Sequence, residues 1–316
     1  MPKEKILFFP IKTYKILITP LTTAHRYPQA VRNNRYAINM LKAKALALTL
    51  LFMLSGLVAI NTVFGAPASD LWPRWQKHNP DSSVIIDHAN WGLLLQRSVV
   101  ADHPSGINRF KYSNISPKDR QILKDYLQKM QAVEVSTLNR NQQKAYWINL
   151  YNALTVEVIL DHYPVKTIRD IDISPGFFSN GPWDAKLLTI EGQNISLNDI
   201  EHRILRPVWQ DNRVHYAVNC ASLGCPNLQP QPFTARNLDM LLEKAARDFI
   251  NHPRGVSFPG NRLKISSIYV WFKEDFGTSE ENILQHLQKY LSSEKIKKLD
   301  GAQKKISHDY NWDLNE

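Results

Sequence analysis

The stretch AYWINLYNALTVEVIL, Ala145 to Leu160, decides how this chain folds. It is apolar nearly all round, and a helix without a wet face belongs in the middle of a core. Asn139 stands where a cap is needed, and Tyr163-Pro164 supplies the stop, because the residue before proline avoids the helical region. The expectation is one long buried helix over Arg140–His162. Within it Tyr146, Asn149 and Asn152 recur at i, i+3 and i+6 and so share a stripe. Buried amides need partners for both the carbonyl and the NH2. This stripe either ties neighbouring loops to the core or lines a polar cavity as ligand-binding residues.

Upstream of that helix, Ser116-Pro117 reads as a cap and first-turn proline opening a helix to about Met130. Downstream of Pro164 the segments shorten. Lys186–Ile190, a turn at Glu191-Gly192-Gln193-Asn194, and Ile195–Leu197 read as a hairpin-like turn leading into a helix over Leu197–Leu205. Val214–Val218 reads as a strand. Gly255–Phe258, Pro259-Gly260-Asn261 and Leu263–Ile265 read as a β-hairpin, and Lys305–His308 as a last strand. Helices are expected at Leu238–Asn251 and Glu280–Leu291. Helices early and strands late describe an α+β fold, with a helical N-terminal half whose long buried helix packs on a small antiparallel sheet from the C-terminal half.

Composition bounds the rest. The chain has 316 residues, 43% hydrophobic and 22% charged, which is core-forming material. Its net charge of +10 is unevenly placed. Residues 1–66 hold nine basic groups and one acid, a surplus of eight, which leaves about two for the remainder. A near-neutral body lacks the basic surface that nucleic acid requires. The basic lead precedes AKALALTLLFMLSGLVAI (Ala43–Ile60) and the small residues Gly65-Ala66-Pro67-Ala68, the layout of a secretory signal. Met40 reads as the translation start, which makes residues 1–39 an upstream extension, 40–68 the signal and 69–316 a single exported domain. The rival is a retained inner-membrane anchor over residues 45–64, and either way the body is expected in the periplasm or beyond.

Chemistry concentrates in two segments. In LNDIEHRIL (Leu197–Leu205), Glu201 falls inside the apolar arc of a helical wheel and His202 well outside it. A carboxylate on a buried face must be paired or protonated. Glu201 is therefore either salt-bridged to an arginine such as Arg206 or Arg236, or functional. The second segment, VHYAVNCASLGCPN (Val214–Asn227), carries His215 and both cysteines. Were it extended, His215 and Cys220 would face opposite ways, leaving His202 the freer partner. Three readings of Cys220 and Cys225 compete. They form a disulfide across a turn at Gly224; or Cys220 is a nucleophile activated by a histidine; or they bind metal, for which the spacing falls short of a zinc pattern. Two inert thiols remain as the bland alternative. No phosphate-cradling loop, HExxH motif or calcium loop is present, so neither cofactor nor metal is expected. The charges of Lys273-Glu274-Asp275 and His308-Asp309 read as solvated or capping groups, with a place on the rim of the same cavity as the alternative.

Several blocks together resemble the family called Domain of Unknown Function 547. They are YWINLYNALTVEVILDHYPVKTIRDI (Tyr146–Ile171), the tryptophan of Gly181-Pro182-Trp183, LNDIEHRILRP (Leu197–Pro207), VHYAVNCASLGCPNLQPQPF (Val214–Phe233), IYVWFKEDFG (Ile268–Gly277) and YNWDLN (Tyr310–Asn315). The resemblance runs from about Asp87 to Asn315 and brings no biochemical activity with it. It implies an exported bacterial member of a portable unit, with motif positions at Asn149, Asn152, Glu201, His202, His215, Cys220 and Cys225. Two functions follow as expectations. One is a cysteine-dependent hydrolase or acyltransferase on envelope peptides, with Cys220 attacking, His202 or His215 as base, and Glu201 or Asn152 orienting. The other is a non-catalytic module that binds a small molecule or a protein, clipped by Cys220–Cys225, with Trp147, Trp183 and Trp271 as core or pocket walls.

Overall fold

Side-chain caps set the helical layout. The computed structural model describes residues 67–176 and 181–316. Helix α1 spans Ala89–Ser98, α2 Pro117–Gln131 and α3 Arg140–His162. Ser116 Oγ accepts from the Asp119 amide and Asn139 Oδ1 from the Gln142 amide, each at 3.1 Å. Each bond satisfies one of the open N–H groups of a first turn. Helix α3 stops at His162, and Tyr163 is extended ahead of Pro164. Every residue of α3 from Gln142 to Val156 is buried, so the reading of AYWINLYNALTVEVIL as a central helix holds.

Two hydrophobic clusters form. The larger surrounds α3, joining Trp147, Ile148 and Leu150 to Trp91 and Leu94 of α1, to Leu123 and Met130 of α2, and to Ile200 and Ile204. The second gathers Phe249 and Ile250 of α4 (Leu238–Asn251) and Ile283 and Leu287 of α5 (Glu280–Gln288) with strand residues Val256, Leu263 and Ile265. A last helix, α6, spans Ser293–Asp300.

Two short antiparallel pairs come first, β1 (Val99–Val100) with β2 (Arg109–Phe110) and β3 (Leu188–Ile190) with β4 (Gln193–Ile195). Glu191 and Gly192 between β3 and β4 both take positive φ, the mirror-image turn that suits a two-residue hairpin. The C-terminal sheet orders β5 (Val256–Ser257), β6 (Arg262–Ser266) and β7 (Gln303–Asp309). The fold is α+β. Its sheet is mixed, because β6 runs antiparallel to β5 and parallel to β7. The sheet's apolar residues belong to the second cluster, with α4 and α5, whereas α3 lies in the first.

Val214–Val218 is not a strand. Asn212–Tyr216 forms a 3-10 turn, started by Asp211, whose Oδ1 accepts from the Arg213 amide at 3.0 Å. Valines favour a strand only where a sheet offers them a neighbour, and a cap acts locally. The expectations for residues 1–39 and for the signal or anchor before residue 67 lie outside the described residues. Among the described residues no helix is long and apolar enough to cross a membrane.

Candidate functional site

A cavity of about 830 Å³ opens where three irregular segments meet. The first is Asp199–Leu205, a π-helical turn continued by a short helix over Arg206–Trp209. Ser196 and Asp199 start it reciprocally: Ser196 Oγ accepts from the Asp199 amide at 3.2 Å, and the Asp199 carboxylate accepts from the Ser196 amide at 2.8 Å. Pro207 then supplies no N–H, so the His202 carbonyl that an i→i+5 pattern would pair with it stays open. The amide of Asp70 takes that carbonyl and the amide of Trp72 takes Arg203's, each at 3.0 Å. The wide turn buries Glu201 and His202 together, at 7% and 5% exposure. His202, placed well outside the apolar arc by the helical wheel, is therefore buried as well.

The second segment is the 3-10 turn that delivers His215. This ring is clamped, with Nε2 2.6 Å from Asp275 Oδ2, Nδ1 3.7 Å from Glu201 Oε1, and its face on Phe272 at 4.1 Å. Arg206, also fully buried, completes the cluster. It donates to Asp275 at 2.5 Å, to Glu274 at 2.7 Å, to the Pro67 carbonyl at 2.7 Å and to His202 Nδ1 at 3.1 Å. A guanidinium only donates, so Nδ1 of His202 accepts and the neutral ring carries its proton on Nε2.

Charge follows from these contacts. Burial alone would raise Glu201, but His202, His215 and Arg206 outweigh it and hold the carboxyl down at about 2. Burial pushes His202 down to about 4, with Arg206 and His215 adding to the effect and Glu201 opposing it. At neutral pH His202 is thus uncharged, and the Glu201 carboxylate relies on His215 and Arg206. Burial also disfavours the His215 cation, yet Asp275 and Glu201 raise it above its ordinary value. Asp275, against its own burial, is held at about 2 by His215 and Arg206. The cluster is a closed set of paired charges.

The third segment is the cysteine loop. Cys220 and Cys225 form a disulfide, with Cα atoms 6.3 Å apart, inside the range that closure requires. Ala221 takes positive φ, and the amide of Cys225 closes a turn onto the Ser222 carbonyl at 3.1 Å. Tyr310 Oη lies 3.1 Å from both sulfurs, and Ser222 Oγ 3.0 Å from that phenol. The C-terminal tail seals this side: Leu223 N–H donates to the Asp313 carbonyl and Gly224 N–H to that of Asn311. A Cβ at Gly224 would stand 2.8 Å from the Asn311 carbonyl oxygen, so only glycine allows this approach.

Cys220, Glu201, His202 and His215 therefore do line one cavity, together with Cys225. Tyr151, Trp183, Trp271, Phe272, Tyr310 and Trp312 supply aromatic walls. Trp147, by contrast, is buried in the larger cluster. The amide stripe is elsewhere. Asn149 exchanges two bonds with the backbone of Phe233, at 2.7 and 3.0 Å. Asn152 donates to the Ala217 carbonyl at 2.9 Å and accepts from the Asn219 amide at 2.8 Å. Tyr146 donates to the Met130 carbonyl at 2.8 Å. Their polar atoms are taken by backbone groups, the arrangement expected if the stripe ties loops to the core, and Asn152 holds the lead into the cysteine loop.

Sequence reading left Asp275 and Glu274 as solvated or rim charges without naming their partners, and missed Tyr310 and Ser222. The acids are found in the block IYVWFKEDFG and the tyrosine in YNWDLN, whose density of aromatic residues beside polar ones was the available signal. Of the two arginines weighed as partners of Glu201, Arg206 acts on it through its charge while bonding Asp275 and Glu274, and Arg236 is exposed. His308 bonds Ser267, and Asp309 pairs with Lys264. Among the described residues no group of three or more histidine, cysteine, aspartate or glutamate side chains gathers as a metal site.

Residues 135–250 match the model of a family described as a protein of unknown function, DUF547. That span covers α3, the π-helical turn and the cysteine loop. No curated protein and no solved structure matches the chain.

Proposed function

With the match of residues 135–250 to the DUF547 family as the premise, we propose that the domain is a ligand-binding module for a small molecule or a peptide segment of the cell envelope. One observation carries this reading. Cys220, the more exposed of the two sulfurs that line the cavity, is bonded to Cys225, and both histidines beside the cavity are committed to charged neighbours. What remains available is an aromatic-walled recess with a few fixed polar groups, the usual composition of a ligand site. The disulfide and the signal-like run Ala43–Ile60 support work outside the cytoplasm.

A second reading is a cysteine-dependent hydrolase or acyltransferase, favoured because Cys220, Glu201, His202 and His215 line the same cavity. It requires the disulfide to open. Soluble peptidoglycan fragments titrated into the unreduced protein separate the two. Saturable quenching of tryptophan fluorescence, weakened by Trp271→Phe, with every fragment recovered intact is the expected result. Turnover of fragments that vanishes in Cys220→Ser would sink the binding reading.

A further inference from the structure

We propose that the Cys220–Cys225 bond is exchangeable, and that the domain forms a mixed disulfide at Cys220 with a thiol-bearing ligand. This activity goes beyond the binding reading and does not depend on it, since it needs only access of a thiol to one sulfur.

The two sulfurs are unequal. Cys220 is partly exposed on the cavity wall, whereas Cys225 is 3% exposed. Cys225 Sγ accepts from the backbone N–H of Cys220 at 2.9 Å, a donor that cannot turn away. The phenol of Tyr310 lies 3.1 Å from both sulfurs, so it serves whichever one takes up negative charge, and the backbone donor is what favours Cys225. A disulfide sulfur has no proton, so Tyr310 is the donor there. The Ser222 hydroxyl, 3.0 Å from the phenol oxygen, donates to Tyr310 and leaves its proton free for sulfur. Behind the loop, Arg254 donates to the Leu223 carbonyl at 3.0 Å and to Asn227 Oδ1 at 2.6 Å, on either side of Cys225 in the chain. Among the described residues this partly buried guanidinium forms no ion pair with a carboxylate. A partly buried cation without an anion favours negative charge that arises in the loop it holds.

The step balances as a thiol–disulfide exchange. The ligand thiol loses its proton to solvent, and its thiolate attacks Cys220 Sγ in line with the bond to Cys225. A new bond joins the ligand sulfur to Cys220 while the Cys220–Cys225 bond breaks. The electron pair leaves on Cys225, whose thiolate accepts from the Cys220 amide and the Tyr310 phenol. The ligand sulfur is oxidised to the disulfide level and Cys225 is reduced. Attack by Cys225 on Cys220 reverses the step and releases the thiol. A leaving thiol of lower pKa leaves faster, so the donor-rich sulfur should leave.

Glutathione is a sufficient probe. Unreduced full chain is incubated with it, quenched with N-ethylmaleimide, and mapped by mass spectrometry without reduction. Glutathione on Cys220 with maleimide on Cys225 should exceed the reverse isomer by at least about tenfold. An even mixture, the reverse isomer, or no adduct under conditions that open an exposed reference disulfide would overturn the proposal. Alkylation of Cys220→Ser against pH gives the second test. Cys225 should titrate below the ordinary thiol value of about 8.5, and adding Tyr310→Phe should raise it by about one unit. A thiol at its ordinary value that Tyr310→Phe leaves unmoved would overturn it equally.

Discussion

The amides of α3 and the charged groups of the π-helical turn are buried to almost the same depth. Asn149 and Asn152 are 0% and 3% exposed, Glu201 and His202 7% and 5%. Their bonding differs in kind. The amides hold main-chain groups of distant loops, so their polar capacity is spent on shape. The charged groups hold other side chains around open space, so removing one changes an electrostatic balance that a ligand can sense. Burial of a polar residue therefore does not separate structure from function, whereas the identity of its partner does.

That contrast can be broken in four ways. The largest effect is expected from Asp275→Ala, which strips Arg206 and His215 of their shared carboxylate. Stability should fall by about 3 to 5 kcal/mol by denaturant titration, because Arg206 is left with only the half-exposed Glu274 and His215 with only Glu201 at 3.7 Å. A loss below about 1 kcal/mol would mean that water already screens the cluster. Next comes Asn152→Ala, which orphans the Ala217 carbonyl and the Asn219 amide. It should cost about 2 to 4 kcal/mol, and protease should reach the cysteine loop sooner. Wild-type resistance in that variant would remove Asn152 from the account of the loop.

The third concerns pH. The folded-state pKa of His202 is depressed to about 4, so the unfolded chain binds the extra proton between that value and about 6.5. Its contribution is present above about pH 6.5 and is lost as pH falls toward 4. Between about pH 7 and pH 5 the loss should approach about 2 kcal/mol, and His202→Gln should flatten that part of the stability curve. An unchanged slope would show that His202 is already charged in the folded protein. The smallest effect is expected from Trp271→Phe at the cavity wall, about 1 kcal/mol or less in stability. A larger loss would place Trp271 in the core rather than at a ligand surface.

Local instructions were legible. The caps Ser116 and Asn139, the proline stop at Pro164, helix Leu238–Asn251 and the two hairpins depend on neighbours in sequence, and all stand where the residues put them. The α+β class followed from their order. The 3-10 turn at Asn212–Tyr216 was missed because Val214 and the following Val218 favour a strand while the Asp211 cap decides. The π-helical turn was missed because it depends on Asp70 and Trp72 taking carbonyls that Pro207 cannot serve. The salt partner of His215 lies sixty residues downstream in a block that resembles any charged surface segment.

By itself the sequence determined the central helix, the class of fold and which short blocks carry polar chemistry, since periodicity and capping act over a few residues. Only the tertiary structure decided which of those groups face one another. Hydrogen bonds and ion pairs are satisfied across space, and the chain carries no local mark for a partner a hundred residues away.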